Sequence, residues 1–397
     1  MQADPLLRWR PEFPISERTT YLVSNSLGAM PTRARARMAA HLDQWDERGV
    51  RSWAEGWWVA HDEIARPLER ILGVDANTVS MHQNVAVASQ MILSCFDFSG
   101  PRRKIVLLDS EFPSLLYLYE SQRARGAEIV RVPADASGVG VDLERLLAAI
   151  DERTLLVPIS HALFRSAFVQ DARAVAERAR QVGAFLILDV FQSVGTVPLR
   201  LAEWGVHAAV GGALKFLCGG PGNGFLYVDP GERARLRPSF TGWMAHTDPF
   251  AFARTHALRE DGWRFLHGTP NVPAIAAGVE GVKIVAEIGV EAIRHKSVRQ
   301  TALLVARAQH HGFAVHAPLD PAQRGGTVAV RVPHGYEVCQ TLLAEDIVVD
   351  FRPDAGIRVA PHFYTSDEEC VAAIDRMAEI VGSKAYERFL QLERKPG

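Results

Sequence analysis

The chain has 397 residues, 48% of them hydrophobic and 23% charged, the composition of an ordinary globular protein long enough for two domains. Its 44 basic and 46 acidic residues leave a formal charge of −2 with no long run of one sign, which argues against nucleic acid and anionic membranes as partners. No stretch reaches the roughly 18 apolar residues of a membrane span, no apolar signal region precedes Pro14, and Cys95, Cys218, Cys339 and Cys370 are far apart, so a cytoplasmic protein with reduced thiols and no metal cluster is expected.

From about residue 60, apolar strand-like runs alternate with helical ones. Lys104–Asp109 (KIVLLD) reads as a buried strand and Ser114–Arg125 as a helix stopped at Gly126. Glu128–Val132 is a strand, and Leu143–Ile150 a helix behind the capping candidate Asp142. Leu155–Ser160 is a strand, Ala172–Val182 a helix ending at Gly183, and Phe185–Asp189 (FLILD) a further strand. His207–Gly211 and Gly224–Val228 complete the set. Continuous apolar strands separated by helices predict an α/β fold with a parallel sheet covered on both faces. Beyond about residue 285, a long helical stretch leads to short strands at Gly326–Val332 and Ile347–Phe351 and a last helix, Ser366–Val381, which read as a smaller α+β domain. Sheets of this kind bind ligands at the carboxyl ends of their strands, so chemistry is sought where apolar runs stop.

Lysine is scarce, with Lys104, Lys215, Lys283, Lys296, Lys384 and Lys395 the only six. Five stand in polar or helix-surface surroundings. Lys215 sits between Leu214 and Phe216 in HAAVGGALKFLCGGPGNG, after a strand and before a Gly-rich turn. An ammonium there loses hydration, which lowers its pKa and makes the amine a nucleophile; the alternative is a lysine snorkelling from a loop. Asp189 ends FLILD, so its carboxylate emerges at the ligand edge, where it either caps a turn or meets a cation such as the protonated pyridine nitrogen of pyridoxal phosphate. Gln192, three residues on, is placed to hydrogen-bond such a cofactor. In MHQNVAVASQMIL a β-like run turns into a helix with small residues at its start, which suits a phosphate as well as close packing. Thr269, in HGTPN, adds a hydroxyl or is a plain turn. Phe112, just past KIVLLD, reads as core or as a ring that stacks on an aromatic ligand. Arg358, inside the apolar run GIRVAP, needs an anion, either a substrate carboxylate or a structural salt-bridge partner.

With these residues in hand, the chain resembles the fold-type I, class V pyridoxal-phosphate enzymes and, within them, the kynureninases. The resemblance runs through YLVSNSLGAMP (21–31), EFPSLLYLYESQ (111–122), SHALFRSAFVQD (160–171), LDVFQSVGTVPL (188–199), GGALKFLCGGPG (211–222), TGWMAH (241–246) and GIRVAP (356–361). It implies a large cofactor-binding domain (56–285) with a mainly parallel seven-stranded sheet, a small C-terminal domain (286–397), and an N-terminal segment (1–55) packed with the latter. It also implies that Lys215 carries pyridoxal 5′-phosphate as a Schiff base and shuttles protons, and that Asp189 pairs with the pyridinium nitrogen. Phe112 would stack on the ring, with Ser114, Ser160, Val85, Ala86 and Gln192 lining the cofactor and its phosphate. Trp243 and Thr269 would reach the phosphate from a second subunit of a homodimer. Arg358 would hold the substrate carboxylate, with Asn25 of the NSLG motif beside the substrate.

The chain departs from kynureninases at Leu214 (typically Tyr), Gln192 (typically His), Leu115 (typically an acid) and 164–167, where Phe164, Arg165, Ser166 and Ala167 replace a Tyr-x-Thr-Gly loop. Two activities are therefore expected: hydrolytic Cβ–Cγ cleavage of kynurenine or 3-hydroxykynurenine, or chemistry on another amino acid, such as β-elimination, decarboxylation with oxidative deamination, or transamination.

Overall fold

The structure, a computed structural model, describes residues 4–391; Lys395 lies outside the described residues. A short strand, β1 (Thr20–Tyr21), precedes the seven of the central sheet: β2 (Val79–His82), β3 (Lys104–Leu108), β4 (Glu128–Val132), β5 (Thr154–Ser160), β6 (Phe185–Asp189), β7 (Ala208–Gly212) and β8 (Gly224–Val228). Their spatial order is β2-β8-β7-β6-β5-β3-β4. Strands β3 to β7 run parallel, and β8 is antiparallel to both neighbours. The connection from Gly212 to Gly224 contains no crossover helix, so the chain turns back beside itself instead of returning parallel. That turn carries Lys215.

Side chains of the apolar runs divide between the two faces with period two. Ile105, Leu107, Leu156 and Ile187 pack with helices Val85–Leu93 and Pro113–Glu120. On the opposite face Val106, Leu108, Val157 and Leu188 pack with helices Ala60–Leu72, Ala172–Val182 and Val272–Ile288. This two-sided burial is why the strands lack polar alternation. The chain passes from β3 outward to β4 and then returns to place β5 on the other side of β3. Such a reversal opens a crevice at the strand ends.

The rest of the chain builds a second sheet from β9 (Ala314–Val315), β10 (Val328–Arg331), β12 (Asp350–Arg352) and β13 (Gly356–Val359), in the antiparallel order β12-β13-β10-β9. Helices Val290–His310, Gly335–Ala344 and Asp367–Ser383 close a separate core over it. The single strand expected over Ile347–Phe351 is instead broken at Val349. Ile347–Val348 (β11) pairs in parallel with β1, whereas Asp350–Arg352 pairs with β13. The two halves find partners in different sheets, and the break sets Asp350 directly opposite Arg358. Among the described residues no helix is long and apolar enough to cross a membrane.

Candidate active site

Lys215 follows β7 on the return turn, and the NSLG loop folds against it. The Gly28 N–H donates to the Leu214 carbonyl at 2.8 Å. A Cβ on Gly28 would stand 2.1 Å from the Lys215 carbonyl oxygen, so only glycine allows the approach. Gly212 acts similarly for Phe191, whose ring would meet a Cβ there at 2.3 Å. With that space free, the Phe191 ring slides beneath the amine: Lys215 Nζ lies 4.2 Å from its centroid and 5.9 Å from that of Phe112. Loss of hydration against these rings lowers the Lys215 pKa; Asp189 opposes the shift and Arg358 adds to it.

The sequence reading set Lys215 apart as the one lysine in apolar surroundings, and this needs correction. Lys104 and Lys296 are buried, more deeply than the half-buried Lys215. Both are satisfied: Lys104 Nζ donates to the Ala149 carbonyl (2.7 Å) and pairs with Asp151, and Lys296 Nζ donates to the Phe363 carbonyl (2.7 Å) and pairs with Asp4. Lys215 makes no ion pair within 4.0 Å and no hydrogen bond to another described residue. What distinguishes it is the lack of a polar partner, not burial.

Asp189 closes β6 and is buried at the same sheet edge. Its Oδ1 accepts from the Phe191 N–H at 2.8 Å, and it has no ion-pair partner among the described residues. Desolvation raises its pKa, with Phe191 and Lys215 pulling the other way. Beside it, Ser160 ends β5 and is its register partner. The Ser160 N–H donates to Glu111 Oε1 at 2.8 Å and its hydroxyl hydrogen-bonds Oε2. Glu111 is itself buried, and desolvation pushes its pKa up to about 8 against those two bonds.

These groups surround a cavity of about 260 Å³ lined by Asn25, Ser26, Val85, Phe112, Leu115, Ser160, Ala162, Phe164, Asp189, Phe191, Gln192, Leu214, Lys215, Arg352 and Arg358. Phe112 leaves 43% of its surface exposed and meets Phe164 edge-on at 5.3 Å, so it is a cavity wall and not core. Val85 starts the helix Val85–Leu93, whose cap Asn84 accepts from the Val87 N–H. Gln192 Nε2 donates to the Asn25 carbonyl at 3.2 Å, tying the NSLG loop to the segment after Asp189.

Arg358 has the structural partner that its apolar setting left open as an alternative. Nε and Nη2 donate to the two oxygens of Asp350 at 2.8 and 2.5 Å, and Nη1 donates to the Phe164 carbonyl at 2.7 Å. The Asn25 side-chain oxygen, in the orientation its neighbours require, lies 3.1–3.3 Å from all three guanidinium nitrogens. An oxygen equidistant from the three sits over the plane of the group, an electrostatic contact rather than an in-plane hydrogen bond. Arg352 shares Asp350 at 3.1 Å.

The remaining expected residues stand elsewhere. Ala86 and Ser114 lie in the first turns of helices Val85–Leu93 and Pro113–Glu120 and are not among the residues lining this cavity. Thr269 lines a second, small cavity with His61, His82 and His267. Trp243 belongs to an aromatic cluster with Trp58, Phe250 and Phe252. Sequence reasoning missed Phe191, Glu111, Asp350 and Arg352. Phe191 and Glu111 each adjoin a residue it named, and Glu111 lies in the loop just past β3, at the edge where ligands bind. No local pattern distinguishes Asp350 or Arg352.

Residues 36–364 match the family model described as Aminotransferase class-V. The chain is 29% identical to a kynureninase of Shouchella clausii (strain KSM-K16), over 97% of this chain and 94% of that one. A kynureninase of Geobacillus thermodenitrificans (strain NG80-2) is also 29% identical, over 98% and 94%. Similar solved structures include an apo cysteine desulfurase from Thermococcus onnurineus NA1 (TM-score 0.84, 19% identity, 96% and 99% of the two chains). Another is a mutant of C-DES with glycine covalently linked to its PLP cofactor (TM-score 0.84, 22% identity, 93% and 99%). The match over most of its length makes the chain a member of the aminotransferase class-V family, with the fold-type I architecture of pyridoxal-phosphate enzymes.

Proposed function

We propose that the chain is a pyridoxal-phosphate enzyme acting on an α-amino acid with an uncharged, bulky side chain, most simply as a kynureninase that hydrolyses the Cβ–Cγ bond of kynurenine or 3-hydroxykynurenine to alanine and an anthranilate. The observation that carries this reading is one cavity holding an unpartnered amine, Lys215, and a buried acid without a cation, Asp189. An aldehyde and a protonated ring nitrogen would satisfy both, so the donor set fits the cofactor. Lys215 would hold it covalently, Asp189 would keep its nitrogen charged, Phe112 would stack on the ring, and Val85, Ala86, Ser114, Ser160 and Gln192 would contact the ring and its phosphate. Bound pyridoxal phosphate supplies a carbonyl that captures the substrate amine and an electron sink for the broken Cα bond.

The chain's own groups would manage charge and protons. The Lys215 amine, its pKa lowered by burial, would take a proton from carbon without remaining permanently charged. Arg358 would orient the substrate by its carboxylate, with Asn25 beside it. Phe112, Leu115, Ala162, Phe164 and Leu214 offer apolar surface to the side chain, which suits an aryl ketone. A homodimer is part of this proposal, with Trp243 and Thr269 of each copy serving the other's cofactor phosphate.

A second reading is favoured by Leu214 and Leu115. Both line the cavity as hydrocarbons, where a hydrolytic enzyme would gain from a hydroxyl or acid. The same amine and acid would then serve β-elimination, decarboxylation with oxidative deamination, or transamination. Incubation of the holoenzyme with L-kynurenine separates the two. Anthranilate fluorescence is expected for the first reading, and its absence at high enzyme concentration rejects it.

A further inference from the structure

Arg352 has no role in the functional reading above, yet it lines the cavity. Strand geometry explains how it gets there. Asp350 and Arg358 are direct partners across the antiparallel β12–β13 pair, and Arg352 faces Gly356 in the same register. Residues two apart on a strand share a face, so Asp350, Arg352 and Arg358 project together. Opposite Arg352, Gly356 offers no side chain.

The two guanidinium groups are not equally free. Arg358 is only 2% exposed. Its Nε, Nη1 and Nη2 each already donate to Asp350 or Phe164, and its upper face is covered by Asn25. Arg352 donates from Nη1 to its neighbour's carbonyl at 2.9 Å, and its Nη2 lies 3.1 Å from Asp350 as an ion pair without hydrogen-bond geometry. Its Nε–H takes part in no bond to another described residue, and its side chain remains 23% exposed at the cavity wall. Of five guanidinium N–H bonds, Arg352 keeps the larger share uncommitted. Charge points the same way: one aspartate between two arginines leaves this wall with a single net positive charge, the complement of one carboxylate.

We propose that Arg352 binds the substrate carboxylate directly, beside an Arg358 largely occupied by Asp350. This inference rests on the amino-acid reading of the cavity, and the experiment separates their failures. The visible absorbance of the holoenzyme is followed while L-alanine, and separately L-alaninamide, is titrated in; the two probes differ in the carboxylate alone. In Arg352→Gln the apparent dissociation constant for L-alanine is expected to rise about 10- to 100-fold, the loss that follows removal of a charged hydrogen-bond partner. That for L-alaninamide should stay within about twofold. Arg352→Lys, which keeps the charge but not the fork, should recover part of the loss. A retained cofactor band in Arg352→Gln shows that the cavity is intact. If the wild-type spectrum responds but Arg352→Gln weakens both probes equally or neither, the assignment of Arg352 is overturned. If the wild-type spectrum responds to neither probe nor to L-kynurenine, the amino-acid reading itself fails.

Discussion

Ser160 and Asp189 are the last residues of two adjacent parallel strands and stand in register, so both side chains leave the sheet at the same edge and on the same face. The pairing matters because each is held differently. Asp189 is fixed by the backbone two residues ahead of it. Ser160 is gripped by Glu111, an acid from the loop after the neighbouring strand.

Glu111 makes stability depend on pH. Its folded pKa, about 8, is raised above the ordinary value of 4.5 by burial. Folding therefore takes up a proton between those limits; the contribution is intact below pH 4.5 and is lost as pH rises through 8. Glu111→Gln cannot ionise. Relative to wild type it should gain stability, on the order of a few kcal/mol, between pH 5 and 9. Urea midpoints at several pH values measure this, and two parallel curves would mean that Glu111 is ionised throughout.

Lys215→Ala removes the only amine among the described residues that line the cavity. Reconstituted with pyridoxal phosphate, the variant should lack the visible absorbance of the wild-type holoenzyme while keeping its far-ultraviolet dichroism. A wild-type-like band would place the covalent link on another lysine.

Arg358→Ala strands Asp350, which retains Arg352 at 3.1 Å. Breaking a buried pair by removing one partner costs about 3–5 kcal/mol, and the remaining arginine puts this case at the lower end. Calorimetry should show a lower melting temperature, partly recovered in the double variant with Asp350→Ala. The cofactor band should persist while amino-acid binding weakens. An unaltered response to amino acids would remove Arg358 from the site.

Phe250 and Phe252 leave 49% and 76% of their surfaces exposed beside Trp58 and Trp243. Exposed aromatic clusters of this sort mark interfaces. Replacing both phenylalanines with serine should raise the dissociation constant of the proposed dimer by roughly tenfold or more, since aromatic side chains carry much of an interface's energy. Sedimentation velocity across a dilution series reads this out. An unaffected dimer would locate the interface elsewhere.

By itself, the sequence determined local structure and singled out Lys215 and Asp189, which line one cavity. Phe185–Asp189 was legible as a strand because an unbroken apolar run, FLIL, ends abruptly at a turn. Ala172–Val182 was legible because it runs up to Gly183, which adopts the left-handed conformation that ends it. Lys215 and Asp189 stood out because a charged group beside apolar residues at a strand end is costly without a partner. Tertiary structure decided what depends on pairing between distant segments: the antiparallel return of β8, the break at Val349, and the register that brings Asp350 and Arg352 to Arg358. It also decided that Lys104 and Lys296 are buried but satisfied, and that Glu111 reaches Ser160. A side chain's periodicity says which face of its own element it occupies. Which partner waits on that face is set by long-range contacts that no local pattern encodes.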